Sequence, residues 1–246
     1  ELLPTLPPGA PVWCHFAENQ EAEAQWIAAE MRRLQGEGVP FRDMTVLYRA
    51  HYVTRAVEEV LLKEKIPYTI YSGVQFFNRA EVKDALSYLR MIAYQDDLSF
   101  RRIANTPKRN LGKRRMAFLQ EYGERQGCSL YQALRDNLED PLFQGTKARA
   151  FVSLIQVFSA GYGEHSISEV LAAVLNESGY EAMLRTEGSQ ERLDNLAELK
   201  QSVYEYETTC GEESTLEHYL AHVALFTNSD AGEPGDKVKL MTVHAA

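Results

Sequence analysis

Apolar positions recur along this chain in two rhythms, and the rhythm changes twice. From Glu21 to Leu34 they fall at helical spacing, with Ile27, Met31 and Leu34 on one face beside Trp26, and Gly36, Gly38 and Pro40 end the run. Met44–Arg49 (M-T-V-L-Y-R) predicts a short strand. A helix through Val57, Val60 and Leu61 follows it, and Pro67 then precedes a second strand at Tyr68–Tyr71. Strand, helix, strand is the pattern of a parallel sheet in an α/β domain. After Gly73 every strong periodicity is helical to about residue 227, beginning with the stripe Val82, Ala85, Leu86, Leu89, Ile92 and Ala93. Asn78-Arg79-Ala80-Glu81, Ser166-x-x-Glu169 and Ser214-x-x-Glu217 have the spacing of capping boxes, and Gly179 sits where a helix C-cap is expected. The polar stretch Asn228–Asp236 then leads back to a strand at Val238–Val243. The expected fold is therefore α/β plus all-α, a parallel-sheet domain interrupted by a helical insertion. Residues 1–76 and 236–246 make up the former and 77–235 the latter.

Composition adds limits. The 246 residues are 45% apolar and 25% charged, ordinary values for a well-packed globular chain. No apolar run approaches the ~18 residues of a membrane span, and Glu1-Leu2-Leu3-Pro4 lacks the basic region and apolar core of a leader. Cys14, Cys128 and Cys210 are far apart and form no C-x-x-C pair, which points away from a disulfide framework or a zinc site and toward a reducing, cytoplasmic setting. The chain lacks an initiating Met and stops within an alternating run, so it reads as a fragment of a longer protein.

A net charge of −9 argues against nucleic acid as a partner until its distribution is considered. Arg101–Arg115 holds Arg101, Arg102, Lys108, Arg109, Lys113, Arg114 and Arg115 and no acidic residue. The run is either a solvated helix face or a phosphate-binding patch. Within it, Pro107 bars helix and Gly112 frees the backbone, so Ile103–Gly112 is expected to turn between two helices. A helix starting after Gly112 would offer free amides to a phosphate. Lys147, Arg149 and Lys200 lie outside the run and serve as its controls.

Other candidates sit at strand ends. Arg49 closes the first strand at its carboxyl end, where α/β folds place ligands, and a guanidinium there is suited to clamp a phosphate. Thr242 and His244 close another strand of the same sheet. The alternatives are a structural salt bridge for Arg49 and a buried, satisfied imidazole for His244. His218 and His222 share a helix face, but no third ligand completes a metal site. Tyr204–Tyr206 and Phe76-Phe77 are more readily core than base-stacking platforms. Phosphoryl transfer needs a phosphate cradle, a metal and a charge stabiliser. No G-x-x-x-x-G-K-[ST] loop occurs, and the only Gly-Lys pair, Gly112-Lys113, is followed by Arg114.

Three runs resemble motifs of the UvrD/PcrA/Rep-type superfamily 1 DNA helicases, in the order and spacing of that family. Thr45-Val46-Leu47-Tyr48-Arg49 through Thr54-Arg55 looks like motif IV, with His51 where the family usually has Asn. Pro67-Tyr68 through Gly73, with Phe76-Phe77-x-Arg79-x-Glu81-Val82-Lys83-Asp84, is similar to the segment entering the family's inserted domain. Val238-x-Leu240-Met241-Thr242-Val243-His244-x-Ala246 looks like the first half of motif V. The resemblance implies an incomplete RecA-like (P-loop NTPase-type) motor domain 2A and a helical accessory domain 2B. It also implies a parent enzyme that uses ATP and Mg2+ to translocate on single-stranded DNA, with 3′-to-5′ polarity, and to unwind duplex. Tyr48, Arg49, His51, Thr242 and His244 would hold single-stranded DNA. Thr106, Lys108, Arg109, Gly112 and Lys113 would grip duplex DNA, with Asn110 where the family has Gly. Gly73, Phe77, Arg79, Glu81, Lys83 and Asp84 would form the domain junction. The implied partners are DNA, the N-terminal motor domain of the same polypeptide and repair proteins, with no membrane. The rival reading is a non-catalytic DNA- or partner-binding module built on the same architecture.

Overall fold

A computed structural model describes residues 9–49, 51–71, 75–211, 214–227 and 235–243, the side chains of His51, Tyr52 and Thr227 excepted. The first helix, α1 (Gln20–Gly36), is opened by Asn19, whose side chain accepts from the Ala22 amide at 2.8 Å. It lies against α2 (Arg55–Lys63) and buries Ala24, Ala28 and Met31. Ile27 and Leu34 are only partly buried, so the face is turned slightly from the expected stripe. Two alanines at the contact let the helix backbones approach closely, which larger side chains would prevent.

Strands β1 (Thr45–Tyr48), β2 (Tyr68–Ile70) and β3 (Val238–Thr242) form a parallel sheet in the order β1-β3-β2. The last strand of the chain thus occupies the centre, with Val46 opposite Leu240 and Tyr68 opposite Val238. Asp236 anchors its approach by accepting from the Arg42 amide at 2.7 Å. Alternation sends Val46, Tyr48, Tyr68, Ile70, Val238 and Leu240 toward α1 and α2. The opposite face stays open, with Leu47 52% and Val243 59% exposed.

The intervening helices are α3 (Ala80–Ala93), α4 (Asp97–Ile103), α5 (Lys113–Gln126), α6 (Leu130–Asp136), α7 (Ala148–Gly161), α8 (Ile167–Glu177), α9 (Tyr180–Thr186), α10 (Gln190–Cys210) and α11 (Leu216–Thr227). Buried apolar residues fall into two clusters. One runs from Phe76 to Val223 and the other joins Ala24–Ile66 with Val238 and Leu240. Helix α3 is the axis of the larger cluster, with Val82, Ala85, Tyr88, Leu89 and Met91 inaccessible to solvent. No helix among the described residues is long and apolar enough to cross a membrane.

Capping departs from expectation at two of three sites. Ser166 and Glu169 form the full reciprocal box at α8, and Gly179 takes the left-handed conformation after it, φ +77°. Asn78 caps nothing, because Phe76–Asn78 is a separate 3-10 turn and its amide nitrogen donates to Gln75. At α11 the hydroxyl that accepts from the His218 amide belongs to Thr215, while Ser214 turns back to the Gly211 carbonyl.

Candidate nucleic-acid interface

The basic run folds as a loop between α4 and α5, and its scaffold is internal. Asn105 Oδ1 accepts from the amides of Arg109 (2.9 Å) and Leu111 (3.0 Å), closing a side-chain-bonded turn. Asn110 takes φ +62°, the left-handed region that Asn tolerates. Arg109 points inward and is only 5% exposed. Its Nη1 donates to the carbonyls of Ile103 (2.8 Å), Ala104 (3.3 Å) and Pro107 (3.4 Å). Its Nη2 donates to the Tyr88 hydroxyl (2.8 Å) and the Ser178 carbonyl (3.2 Å). The guanidinium carbon lies 4.8 Å from the Phe151 ring centroid. Ile103 and Ala104 end α4 and Ser178 ends α8, so the cation collects the negative ends of two helices.

Contrary to expectation, Arg109 is turned away from a surface ligand, because both terminal nitrogens of its guanidinium donate inside the protein. Three other cations of the run are also engaged, Arg101 by the Gln120 side chain at 3.1 Å among them. Arg102 pairs with Asp84 at 2.6 Å, and Arg115 donates to the Leu142 carbonyl at 2.6 Å. Lys108, Lys113 and Arg114 stay exposed, and no hydrogen bond or ion pair engages them among the described residues. A cleft of about 380 Å³ opens beside them, lined by Asn105, Lys108, Arg109, Asn110 and Gly112 of the loop and by Gly145 and Lys147. Gly112 is the N-cap of α5 and no side chain caps that helix. Thr106 is half-buried, and its carbonyl accepts from the Tyr88 hydroxyl at 2.7 Å.

At the sheet, β1 and β3 are neighbours and Tyr48 pairs with Thr242, with the Val243 amide donating to the Tyr48 carbonyl at 2.9 Å. Arg49 and Thr242 thus share one carboxyl edge. Arg49 is exposed, and Thr242 is half-buried. Tyr48 is a correction. Strand alternation turns its ring into the core, where burial and the nearby Glu58 carboxylate push its hydroxyl up to about 12. The His51 side chain, His244 and Gly73 lie outside the described residues.

Of the expected junction residues, Arg79, Glu81 and Asp84 enter buried polar contacts and Phe77 packs in the core. Phe77 packs edge-on to Phe76 and stacks on Phe226 at 5.5 Å. Arg79 donates to Asn195 (2.7 Å) and to the Thr54 hydroxyl (3.2 Å). Asn195 in turn donates to Glu81 at 2.5 Å, and Tyr180 donates to Asp84 at 2.6 Å. Lys83 is half-buried. Glu58 accepts from the Phe76 amide and from Thr54, and burial pushes its carboxyl up to about 7 against those bonds. Arg55, 3% exposed, reaches across to α10 and pairs with Glu198 and Glu205 at 2.7 Å each, and with Glu59 at 3.2 Å. Burial alone would lower the Arg55 pKa, but these carboxylates outweigh it and hold the guanidinium above its ordinary value.

His222 packs between Tyr206 and Phe226, and burial lowers its pKa. Among the described residues no group of three His, Cys, Asp or Glu is placed to hold a metal. Phe76 and Phe77 are core; Tyr204 is exposed and Tyr206 packs on Tyr219. Three residues that matter to these sites escaped sequence reading: Asn105, Lys147 and Arg55. Only Asn105 carried a local signal, an Asn two residues before a proline in a loop. Lys147, set apart as a control, instead lines the cleft, and its amide donates to the Arg109 carbonyl at 3.0 Å.

The family model described as UvrD-like helicase C-terminal domain matches residues 7–246. The ATP-dependent DNA helicase PcrA of Staphylococcus epidermidis is 34% identical over 247 residues, covering 97% of this chain and 34% of that protein. PcrA of Staphylococcus aureus gives the same figures. DNA helicase II of Escherichia coli K12 is 32% identical over 248 residues, with the same coverage. The chain thus spans about a third of the length of these relatives. With nearly every residue matched, this chain belongs to the UvrD-like helicase C-terminal domain family.

Proposed function

We propose that this chain is part of an ATP-dependent DNA helicase and that it supplies the surface that grips duplex DNA ahead of the motor. The observation that carries this reading is the cleft beside Lys108, Asn110 and Gly112. It is an exposed cationic concavity without an acidic lining residue, on a chain of net charge −9. Phosphate contacts of this kind position a duplex without reading its sequence. Residues 77–235 act as accessory domain 2B, and residues 1–76 and 236–246 as part of a RecA-like motor domain 2A. The open sheet face supports the second assignment. Parallel sheets are covered on both sides, and here Leu47, Tyr71 and Val243 are exposed on the side away from α1 and α2. The remainder of the motor domain would cover them.

In this reading Arg49 and Thr242, with His51 and His244, hold the single-stranded backbone at the sheet edge. ATP and Mg2+ are bound by groups that other parts of the polypeptide, the N-terminal motor domain among them, provide. The test is binding of a short hairpin duplex by fluorescence anisotropy across a salt series. Log affinity should fall with log salt by about 0.9 for each phosphate neutralised on B-form DNA. Replacing Lys108 and Lys113 together with Ala should reduce that slope by about 1.8, with little dependence on duplex sequence. An unchanged slope and affinity would make the patch a solvated face and leave the reading without its support.

A further inference from the structure

We propose that the cavity between α2 and the α10–α11 pair is a binding site for a small organic cation, an ammonium or guanidinium carried on an apolar body. The cavity holds about 650 Å³ and is lined by members of both apolar clusters. Val60 and Leu62 on α2 face it from the sheet side, and Phe77, Tyr206 and Phe226 from the helical insertion. Ligand sites have this size and make-up, mostly apolar and aromatic with a few polar groups, and they favour places where two packed units adjoin. The aromatic wall is continuous. Tyr206 lies 5.3 Å from Tyr219 and 5.2 Å from His222, centroid to centroid. His222 lies 5.0 Å from Phe226, which stacks on Phe77. None of the lining residues belongs to the basic loop, so the proposal stands or falls apart from the duplex reading.

Charge selects the class of ligand. Four carboxylates line the cavity, Glu21, Glu59, Glu64 and Glu205, against two cations, Arg55 and Lys63. Arg55 is already committed, one guanidinium among the three carboxylates of Glu59, Glu198 and Glu205. Lys63 is exposed and next to Glu64 in sequence. His222 adds no charge in neutral solution, because burial lowers its pKa. Burial pushes the Glu59 carboxyl up, Arg55 opposes that, and Glu205 and Glu198 reinforce it, the mark of a cluster short of cations. Glu59 and Glu205 keep 26% and 37% of their side-chain surface open. An entering ammonium therefore meets uncompensated negative charge and an aromatic wall, both of which attract a cation. A neutral ligand would use the wall alone, and an anion would be repelled. With walls from both clusters, a bound ligand ties the helical insertion to the sheet domain and stabilises the arrangement in which both are present.

The experiment is an NMR titration of the whole chain with phenethylamine, a primary ammonium on an aromatic body, and with phenethyl alcohol, its neutral counterpart of the same shape. Phenethylamine should give saturable amide shifts that cluster at Ser202–Cys210 and Tyr219–Phe226. The alcohol should bind about tenfold more weakly, the worth of one charge-assisted hydrogen bond. Glu205→Gln should weaken the amine by a similar factor and leave the alcohol unchanged. Because Glu205 also holds Arg55, a second pair of variants leaves that clamp untouched. Leu225 lines the cavity and is 72% exposed, so Leu225→Lys and Leu225→Glu should both fold. The lysine variant should bind the amine about threefold more weakly than the glutamate variant, by a margin that added salt reduces. The alcohol should not distinguish the two. Equal affinity for amine and alcohol, or a Leu225 pair that treats the amine alike, would overturn the cationic class. Shifts that do not saturate, or that centre away from the cavity, would overturn the site itself.

Discussion

Arg109→Ala is expected to destabilise the chain by about 3–5 kcal/mol, the range for removing one partner of a buried charged network. The substitution deletes one cation and removes its bonds to the buried carbonyls of Ile103 and Ala104, to the Tyr88 hydroxyl, and to the partly buried carbonyls of Pro107 and Ser178. Ile103 keeps the Thr106 amide and Tyr88 keeps the Thr106 carbonyl. Each buried group left unmatched costs about 1–3 kcal/mol. Three of these carbonyls, those of Ile103, Ala104 and Ser178, stand at helix ends, where partial negative charge accumulates. Arg109→Lys should recover little, because an ammonium cannot reproduce the planar fork that serves acceptors on several sides. Tyr88→Phe, which removes only the hydroxyl between Arg109 and Thr106, should cost about 1 kcal/mol and leave the fold intact. Urea denaturation measures all three. A surface phosphate ligand would behave differently, with Arg109→Ala within about 0.5 kcal/mol of wild type and weakened DNA binding as its only effect. That outcome would restore the direct role and contradict the structure.

A second large effect is expected at Arg55. The helical insertion is joined to the sheet by two chain crossings, yet the join is not loose, because Arg55 on α2 is clamped by Glu198 and Glu205 on α10. Arg55→Met should cost about 3–5 kcal/mol, since it leaves Glu59, Glu198 and Glu205 facing one another without their cation. Combining it with Glu198→Leu should recover a large part, because replacing a buried pair whole is far less costly than breaking it. The expected coupling in a double-mutant cycle is about 2 kcal/mol or more. Arg33 and Glu37 provide the contrast. They are 2.6 Å apart, close to the Arg55–Glu198 distance, but more than half exposed, and solvent screening leaves pairs of that kind weakly coupled. If Arg55–Glu198 coupled no more strongly than Arg33–Glu37, the clamp would not hold the two cores together.

Much of the fold could be read from apolar rhythm, because helix and strand periods are local properties. The three strands, the helical insertion and the left-handed Gly179 and Asn110 are of that kind. What stayed hidden depends on tertiary packing. A run of seven cations says that charge is concentrated, not which side chain turns inward, and Arg109 was misplaced for that reason. Tyr48 is different, since the alternation from Val46 already put it on the core face and the resemblance to motif IV drew attention away. Lys147 and Arg55 gain their roles from partners more than thirty residues away, Arg109 for one and Glu198 and Glu205 for the other, which no local pattern reveals. The central position of β3 likewise follows only once the insertion has closed and returned the chain between β1 and β2.

The most direct test of the duplex site is an amide NMR titration of this chain with a short blunt duplex. If the cleft is the site, the largest shifts should cluster at Lys108, Asn110, Gly112, Lys113 and Ala148, the loop and the amide ends of α5 and α7. Amides of Glu198–Glu205 and of β1 should move little at the same duplex concentration. Shifts concentrated on the sheet edge, or spread evenly with no maximum at the cleft, would contradict the assignment.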